Sequence, residues 1–376
     1  MNKKKYAWKN IDLVNFLFLS LTPVFAIILT YIWIQNGDFH WGQILMGIVF
    51  YIFTGISITA GYHRLFSHKA YDAHWSVKLF YLLFGAATFQ NSVLKWGSDH
   101  RRHHNKVDTE EDPYNINEGF FYAHIGWIFL KQNSTIHEKY AQDFLKDKLV
   151  MWQHKYYIPI AVSVGLILPT LLGGLFFNSY LGGLAIAGLA RIVLTHHCTF
   201  FINSLCHKLG STPYTDTNTA KDHWFMALLT FGEGYHNFHH YFQNDYRNGI
   251  RWFHFDPTKW LINLLSYIGL AFKLRLTSQD KILAAKMQMK LKKLKLKAEA
   301  ADAFAAELEK LKLQAIDALK RLQAMKNEYR TLKKHASEEL LKEFKLKMKN
   351  TKLEFHRTLQ QWEALANYYR LAVVHS

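Results

Sequence analysis

HRRHH, residues 100–104, places three histidines at positions i, i+3 and i+4. HNFHH, residues 236–240, repeats that spacing, and HRLFSH, residues 63–68, adds His63 and His68. An α-helix turns about 100° per residue, so positions i, i+3 and i+4 share a face. His100, His103 and His104 can therefore converge on one point, and so can His236, His239 and His240. His63 and His68 would lie about 140° apart on a regular helix, so the helix is expected to end or distort between them if both bind. A single histidine is ordinarily a hydrogen-bonded core residue. Eight in three tight groups point to metal.

The 376 residues are 50% hydrophobic and 16% aromatic, with a formal charge of +17. A mean hydropathy of −0.10 reads as soluble only because it averages two unlike halves. Residues 13–34 and 41–62 carry no charged side chain, and each is long enough to cross a hydrocarbon core. The uncharged run from Tyr156 to Ala190 is too long for one span. Asn178, Ser179, Gly182 and Gly183 near its middle predict a hairpin of two membrane helices, about 157–177 and 181–203. Four spans result. A cleaved signal peptide is not expected, because the first span is long and no small-residue cleavage site follows it.

Lys3, Lys4, Lys5 and Lys9 precede the first span, and Arg64, Lys69, Lys155 and Lys208 flank the same side later. The two short hairpin loops contain no Lys or Arg, so the positive-inside rule puts both termini in the cytoplasm. Leu79 to Leu94 is apolar but, at 16 residues, reads as an interfacial or re-entrant helix. Were it to cross, the first two histidine clusters would face opposite sides of the bilayer. With four spans, all three clusters meet at the cytoplasmic ends. The expected fold is all-α: a four-helix transmembrane bundle under a cytoplasmic helical cap that holds the histidine clusters as a metal site.

Cys198 and Cys206 form no metal-type pair, which argues against a disulfide framework, rubredoxin-like iron and iron–sulfur ligation. No glycine-rich dinucleotide fingerprint or haem-attachment motif is found in the sequence, so electrons are expected to come from elsewhere. Imidazole suits iron, zinc and copper alike. Neutral imidazoles leave most of a bound cation's charge uncompensated, which favours binding of anionic or reduced oxygen. Asp99, Asp112 and Glu233 stand beside the clusters as candidates to orient ligand rings.

Residues 1 to about 275 resemble the membrane acyl-CoA Δ9 desaturases, the stearoyl-CoA desaturase type. The resemblance rests on TAGYHRLFSH (59–68), the run from Phe89 through WGSDHRRHH to DPYN (89–115), GFFYAHIGW (119–127), NSLCH (203–207) and GEGYHNFHH (232–240). It implies a di-iron centre bound by nine histidines, the ninth on the helix after the fourth span. His207 matches that place, and Asn203 matches a position that reaches one metal through water. It further implies that dioxygen and two external electrons remove two hydrogens from adjacent methylenes of a saturated long-chain fatty acyl thioester, leaving a cis double bond.

In the family the bend of the substrate tunnel is enclosed by residues matching Gln90, Trp96 and Thr199, and the carrier lies near those matching Asn91 and Asp99. Tyr51 and Gly55 match tunnel-end positions, so a larger side chain at 55 is expected to shorten the cavity. Ser98, Phe200 and Gln132 depart from the family's arginine, tryptophan and lysine at the coenzyme end, which leaves the carrier open between coenzyme A and a lipid. His196 and His197 match no ligand and are read as packing, as are His74, His124, His154 and His254; Arg191 matches a family arginine without a derivable role. A membrane di-iron hydroxylase shares the histidine framework, but NSLCH with Gln90, Trp96 and Thr199 fits the desaturases. A non-enzymatic scaffold would leave nine histidines without a purpose. The lipid bilayer and an electron-donor protein are the expected partners, and no nucleic acid.

From about 276 to 376 the chain is a separate basic extension. From Ser278 onward it carries 22 Lys and Arg against 12 Asp and Glu, and no Gly or Pro occurs after Gly269. Phe304, Leu308, Leu311, Ala315, Ala318, Leu322, Met325, Tyr329, Leu332 and Ala336 form a heptad seam. After Ala336 the phase slips to Leu341, Phe344, Met348, Thr351, Phe355, Thr358, Trp362, Leu365 and Tyr369, which fits either a coiled-coil stutter or the corner of a helical hairpin. Such an extension can pack on its own protein, self-associate, or bind anionic lipid through Lys286 to Lys297.

Overall fold

The computed structural model describes residues 8–295, 302–333 and 335–374; Lys3, Lys4, Lys5 and Lys297 lie outside these. The chain forms two compact units, Met1–Ser211 with Thr217–Leu276, and Thr212–Asp216 with Thr277–Ser376.

Four helices of the first unit are long and apolar enough to cross a membrane: Leu13–Gln35, Trp41–Ser67, Tyr157–Phe177 and Tyr180–Ser204. The first is a sleeve of apolar side chains turned outward, with Leu17, Leu21, Phe25, Ile28 and Ile34 exposed, the arrangement a lipid-facing helix needs. Its start is set by Asp12, whose carboxylate accepts from Asn15 N–H at 3.1 Å. The expected hairpin turns at Asn178, in the left-handed conformation at φ 53°, and Ser179 Oγ then caps the fourth helix by accepting from Gly182 N–H. Small residues permit the close pairing: a Cβ on Gly173 would stand 2.6 Å from Gly183 Cα.

The expected distortion between His63 and His68 is a π-helix, Ser57–Ser67, continuing the second span. His68 N–H donates to His63 C=O at 3.0 Å, so the bond from i+5 to i closes between the two histidines themselves. The wider turn brings onto one face two residues that an α-helix would splay. The apolar segment after it gives a helix only over Trp75–Ala86, 12 residues, too short to span a bilayer. The only sheet among the described residues is one antiparallel pair, Asp72↔Phe272 and Ala73↔Ala271, which ties the exit of the π-helix to the end of the first unit.

Arg191 gains a structural role. It is buried in the fourth span with no carboxylate partner among the described residues, and its guanidinium donates to Ala187 O at 3.0 Å, Ala87 O at 2.6 Å and Gly165 O at 2.7 Å. Gly165 and Ala187 both lie in π-helical stretches, Ser163–Ile167 and Gly183–Ala190, where the regular helix ladder is interrupted. His196 Nε2 lies 2.7 Å from Thr88 O. Together these two side chains grip the turn after the short apolar helix, where Phe89 and Asn91 take left-handed backbone angles, φ 57° and 74°.

In the second unit, helices Gln279–Lys295, Asp302–Leu332 and Glu338–Val374 share a core of Met287, Leu291, Leu308, Ala315, Trp362 and Tyr369. The two long helices run antiparallel: Trp362 Nε1–H donates to Leu308 O at 3.0 Å, and Arg321 bonds Glu354 at 2.6 Å. The phase slip after Ala336 is therefore the corner of a hairpin, and the seam closes within the chain.

Candidate metal centre and substrate cavity

The nine histidines fall into two groups. His63, His68, His100, His104 and His239 form one, and His103, His207, His236 and His240 the other, with the ligand atoms of each group within 4.8 Å of one another. Convergence of each i, i+3, i+4 triplet on a single point is thus corrected. Adjacent residues on a helix point about 100° apart, so His103 and His104, or His239 and His240, serve different centres. The helix Val93–Lys106 and the short helix His236–Tyr241 each feed both groups. Asp222 Oδ1 accepts from the backbone N–H groups of Asn237 and Phe238, at 2.8 and 3.0 Å, and so fixes the start of the second of these.

His207 is not on a further helix as expected. The fourth-span helix ends at Ser204, and His207 stands on the hydrogen-bonded turn that follows. Asn203, one turn earlier, lines the cavity described below.

The tautomers follow from the outward-facing ring nitrogens. His103 Nδ1–H donates to Asp112 Oδ1 at 2.9 Å, and His63 Nδ1 lies 2.9 Å from Glu233 Oε2 but off the line of a full hydrogen bond. His207 is braced indirectly. Thr219 Oγ1 lies 2.6 Å from Asp108 Oδ1 and 2.8 Å from His207 Nδ1. A carboxylate only accepts, so the Thr219 hydroxyl donates to Asp108 and accepts from His207 Nδ1–H. In each case Nε2 keeps its lone pair. The Nε2 atoms then face one another, His63 to His239 at 3.0 Å, His239 to His104 at 2.9 Å, and His207 to His236 at 3.0 Å.

Burial, and next the repulsion between neighbouring rings, holds His68, His100, His104, His207, His239 and His240 well below the ordinary imidazole range. His236 is pushed down to about 3 by the same causes. Neutral rings with converging lone pairs, all buried except the half-buried His104 and His240, are a donor set that suits a metal ion, and two such groups fit two ions. Glu233 behaves oppositely. Burial raises its pKa, but His63 and Arg64 outweigh that and bring it to about 2, so the carboxylate beside the ligand stays charged. Arg64 binds both Glu233 and Asp256, and Asn248 Nδ2–H donates to Glu233 Oε2 at 2.7 Å.

Of the three proposed orienting carboxylates, Asp99 does something else. Its partner is Lys95, not an imidazole, and burial pushes its pKa up to about 6 against the lysine's pull. Asp108 and Thr219 were not foreseen, because a carboxylate acting through a hydroxyl leaves no local spacing signal. Tyr114, whose Oη lies 3.3 Å from His100 Nδ1, sits in the quoted DPYN run, but its role needed the fold.

A cavity of about 530 Å³ runs beside both groups. His63, His100, His103 and His236 line it together with Gln90, Asn91, Trp96, Asp99, Thr199, Tyr51 and Gly55, so every expected substrate position is on its wall. Gln90 Nε2–H donates to Thr199 Oγ1 at 3.1 Å, and the Trp96 ring stacks on His100 with centroids 4.9 Å apart. Gly55 does not open onto empty space: the ring of Phe231 fills the place of its missing side chain. Among the unassigned histidines, His124 Nε2 faces His197 Nδ1 at 3.0 Å, His154 Nδ1 faces Ser92 Oγ at 2.7 Å, His254 stacks on Tyr235, and His74 caps the helix from Trp75.

The family model described as fatty acid desaturase matches residues 39–271. Acyl-CoA desaturase 1 of Saccharomyces cerevisiae is 45% identical over 256 residues, covering 68% of this chain and 50% of the relative. A probable acyl-CoA desaturase of Schizosaccharomyces pombe is 41% identical over 288 residues, 76% of this chain and 59% of the relative. Stearoyl-CoA desaturase of Homo sapiens is 33% identical over 291 residues, 75% of this chain and 78% of the relative. The chain thus spans between half and three fifths of the length of the two yeast relatives. With the match covering the spans from the second onward and all three histidine clusters, the chain belongs to the fatty acid desaturase family.

Proposed function

We propose that this protein is an oxygen-dependent desaturase that inserts a cis double bond at the Δ9 position of a saturated long-chain fatty acyl thioester, with coenzyme A as the carrier. The observation that carries this reading is a single cavity that has polar groups, Asn91, Lys95 and Asp99, apolar walls, and the two histidine groups alongside. Saturated methylenes offer no hydrogen-bonding handle, so the position of attack has to be set by how the chain is threaded. Gln90 and Thr199, bonded to each other, with Trp96 on His100, would form the bend that holds the chain next to the ligand rings. Asn91, Lys95 and Asp99 would meet the carrier end.

In this reading His63, His68, His100, His104 and His239 hold one iron ion. His103, His207, His236 and His240, with Asn203 through water, hold the other. Two iron ions would supply the redox chemistry that zinc in the same imidazole cage lacks. The reaction balances when the two hydrogens leaving adjacent carbons, two electrons from a separate donor protein and two protons reduce dioxygen to two waters. Glu233 and Asp112 keep His63 and His103 oriented. The basic residues Lys9, Arg64, Lys69, Lys155 and Lys208 support a cytoplasmic site and termini. Expression in a host lacking its own desaturase, with mass spectrometry of lipids and double-bond mapping, tests the reading. A cis Δ9 product is expected; a hydroxylated product, or a substrate that is a complex lipid, would replace it with the sister hydroxylase or the acyl-lipid desaturase.

A further inference from the structure

The expected tunnel end, Tyr51 and Gly55, is incomplete without a third residue from a distant loop. A Cβ on Gly55 would lie 2.2 Å from Phe231 Cε2, so glycine there makes room for a ring and not for substrate. The same ring lies against Tyr51 with centroids 5.3 Å apart, and Tyr51 Oη–H donates to Leu229 O at 2.6 Å, in the chain just before Phe231. Tyr51, Gly55, Leu229 and Phe231 all line the cavity. Gly55 precedes His63 by eight residues, about 12 Å along the second span, so the glycine under the ring stands more than two turns from that ligand.

We propose that the Phe231 ring, seated on Gly55, is the stop that sets how long an acyl chain the cavity accepts; the proposal rests on the desaturase reading above. Phe231 adopts φ 53°, a conformation rarely taken by a bulky L-residue, and Gly232 follows at φ 104°. The surroundings hold it there. Thr258 Oγ1–H donates to Phe231 O at 2.9 Å and lies 2.7 Å from Thr59 Oγ1 on the second span. A Cβ at Gly232 would stand 2.5 Å from Asp256 Oδ1, so the turn is pressed against the carboxylate that pairs with Arg64. Two residues on, Glu233 braces His63. The stop and the carboxylate beside His63 are thus carried by one loop, which ties the length of the cavity to the reacting centre.

The test uses the full-length, metal-loaded protein with a mixture of saturated acyl-CoAs of graded length, scoring product length and double-bond position. Phe231→Ala should shift preference to longer chains, by about fourfold for each methylene newly buried, without moving the double bond relative to the carboxyl end. Gly55→Ala should push the ring into the cavity and shift product toward shorter chains, and that shift should vanish in the Phe231→Ala background. An unchanged length profile in Phe231→Ala, or an equal effect of Gly55→Ala in both backgrounds, overturns the proposal. Phe231→Leu, which keeps an apolar side chain in the turn, should give a smaller shift in the same direction and covers the case in which the alanine variant does not fold. A second readout, protection from thermal unfolding by each acyl-CoA without turnover, follows length independently of chemistry. Wild-type protein that binds with a length optimum yet makes no double bond would sink the desaturase reading while the binding series still tests the stop.

Discussion

The five-imidazole and four-imidazole groups draw on the same motifs but are held by different means. In the first, every ligand stands on or at the end of a helical segment, and His63 is braced by a carboxylate that Arg64 and Asn248 hold in turn. In the second, His207 comes from a turn, and its outward ring nitrogen is held through the hydroxyl of Thr219 and the carboxylate of Asp108. Asp108 itself sits at φ 64°, in the loop after the second cluster. A helix fixes a ligand through its backbone ladder, whereas a turn relies on side-chain hydrogen bonds that one substitution can remove. The four-imidazole group is therefore the one that second-layer changes should unbalance.

The largest effect is expected from removing a ligand of each group. His239→Ala and His103→Ala should each cut unsaturated product by more than about a hundredfold, beyond what outer partners usually cost, while membrane insertion persists. Metal analysis then reads the comparison: each variant should lose the ion of its own group first. Full desaturation by either variant, or one metal per chain in active wild-type protein, would remove the two-centre description.

Asp108→Asn and Thr219→Val should come next, weakening metal retention about ten- to a hundredfold in the four-imidazole group alone. Chelator competition should resolve one labile and one tight ion. Equal loosening of both would show that the hydroxyl relay is not specific to His207.

Arg191→Met tests a support that touches neither group. It leaves the carbonyls of Ala87, Gly165 and Ala187 without their donor, at about 1–3 kcal/mol for each that stays buried and unpaired. A clear fall in thermal stability with two metals still bound is the expected outcome, and Arg191→Lys should recover part of it. Loss of metal in proportion to stability would mean that the spans and the histidine groups unfold as one.

The smallest effect should follow from stopping the chain after Leu276. Both groups and the cavity lie among the residues retained, so double-bond position should stay unchanged, and any difference should appear in yield, oligomer size or membrane distribution. Complete loss of turnover in a truncated protein that inserts and binds metal would assign residues 277–376 to the reaction or to the electron-donor dock.

The four spans, the hairpin at Asn178 and the eight clustered histidines were legible because each is written in local sequence: run length, turn residues, and spacing on one helix. The strain between His63 and His68 was legible for the same reason, since two ligands five residues apart cannot share an α-helical face. His207 needed the family resemblance, because a lone histidine carries no spacing signal. The division into five and four, the relay from Asp108 through Thr219, the grip of Arg191 and the ring of Phe231 over Gly55 belong to tertiary structure. Each joins residues far apart in sequence, Asp108 with Thr219 and Gly55 with Phe231, and depends on the direction in which a side chain leaves its backbone. Helical period limits which residues can share a face. Packing of one element against another decides what they meet there.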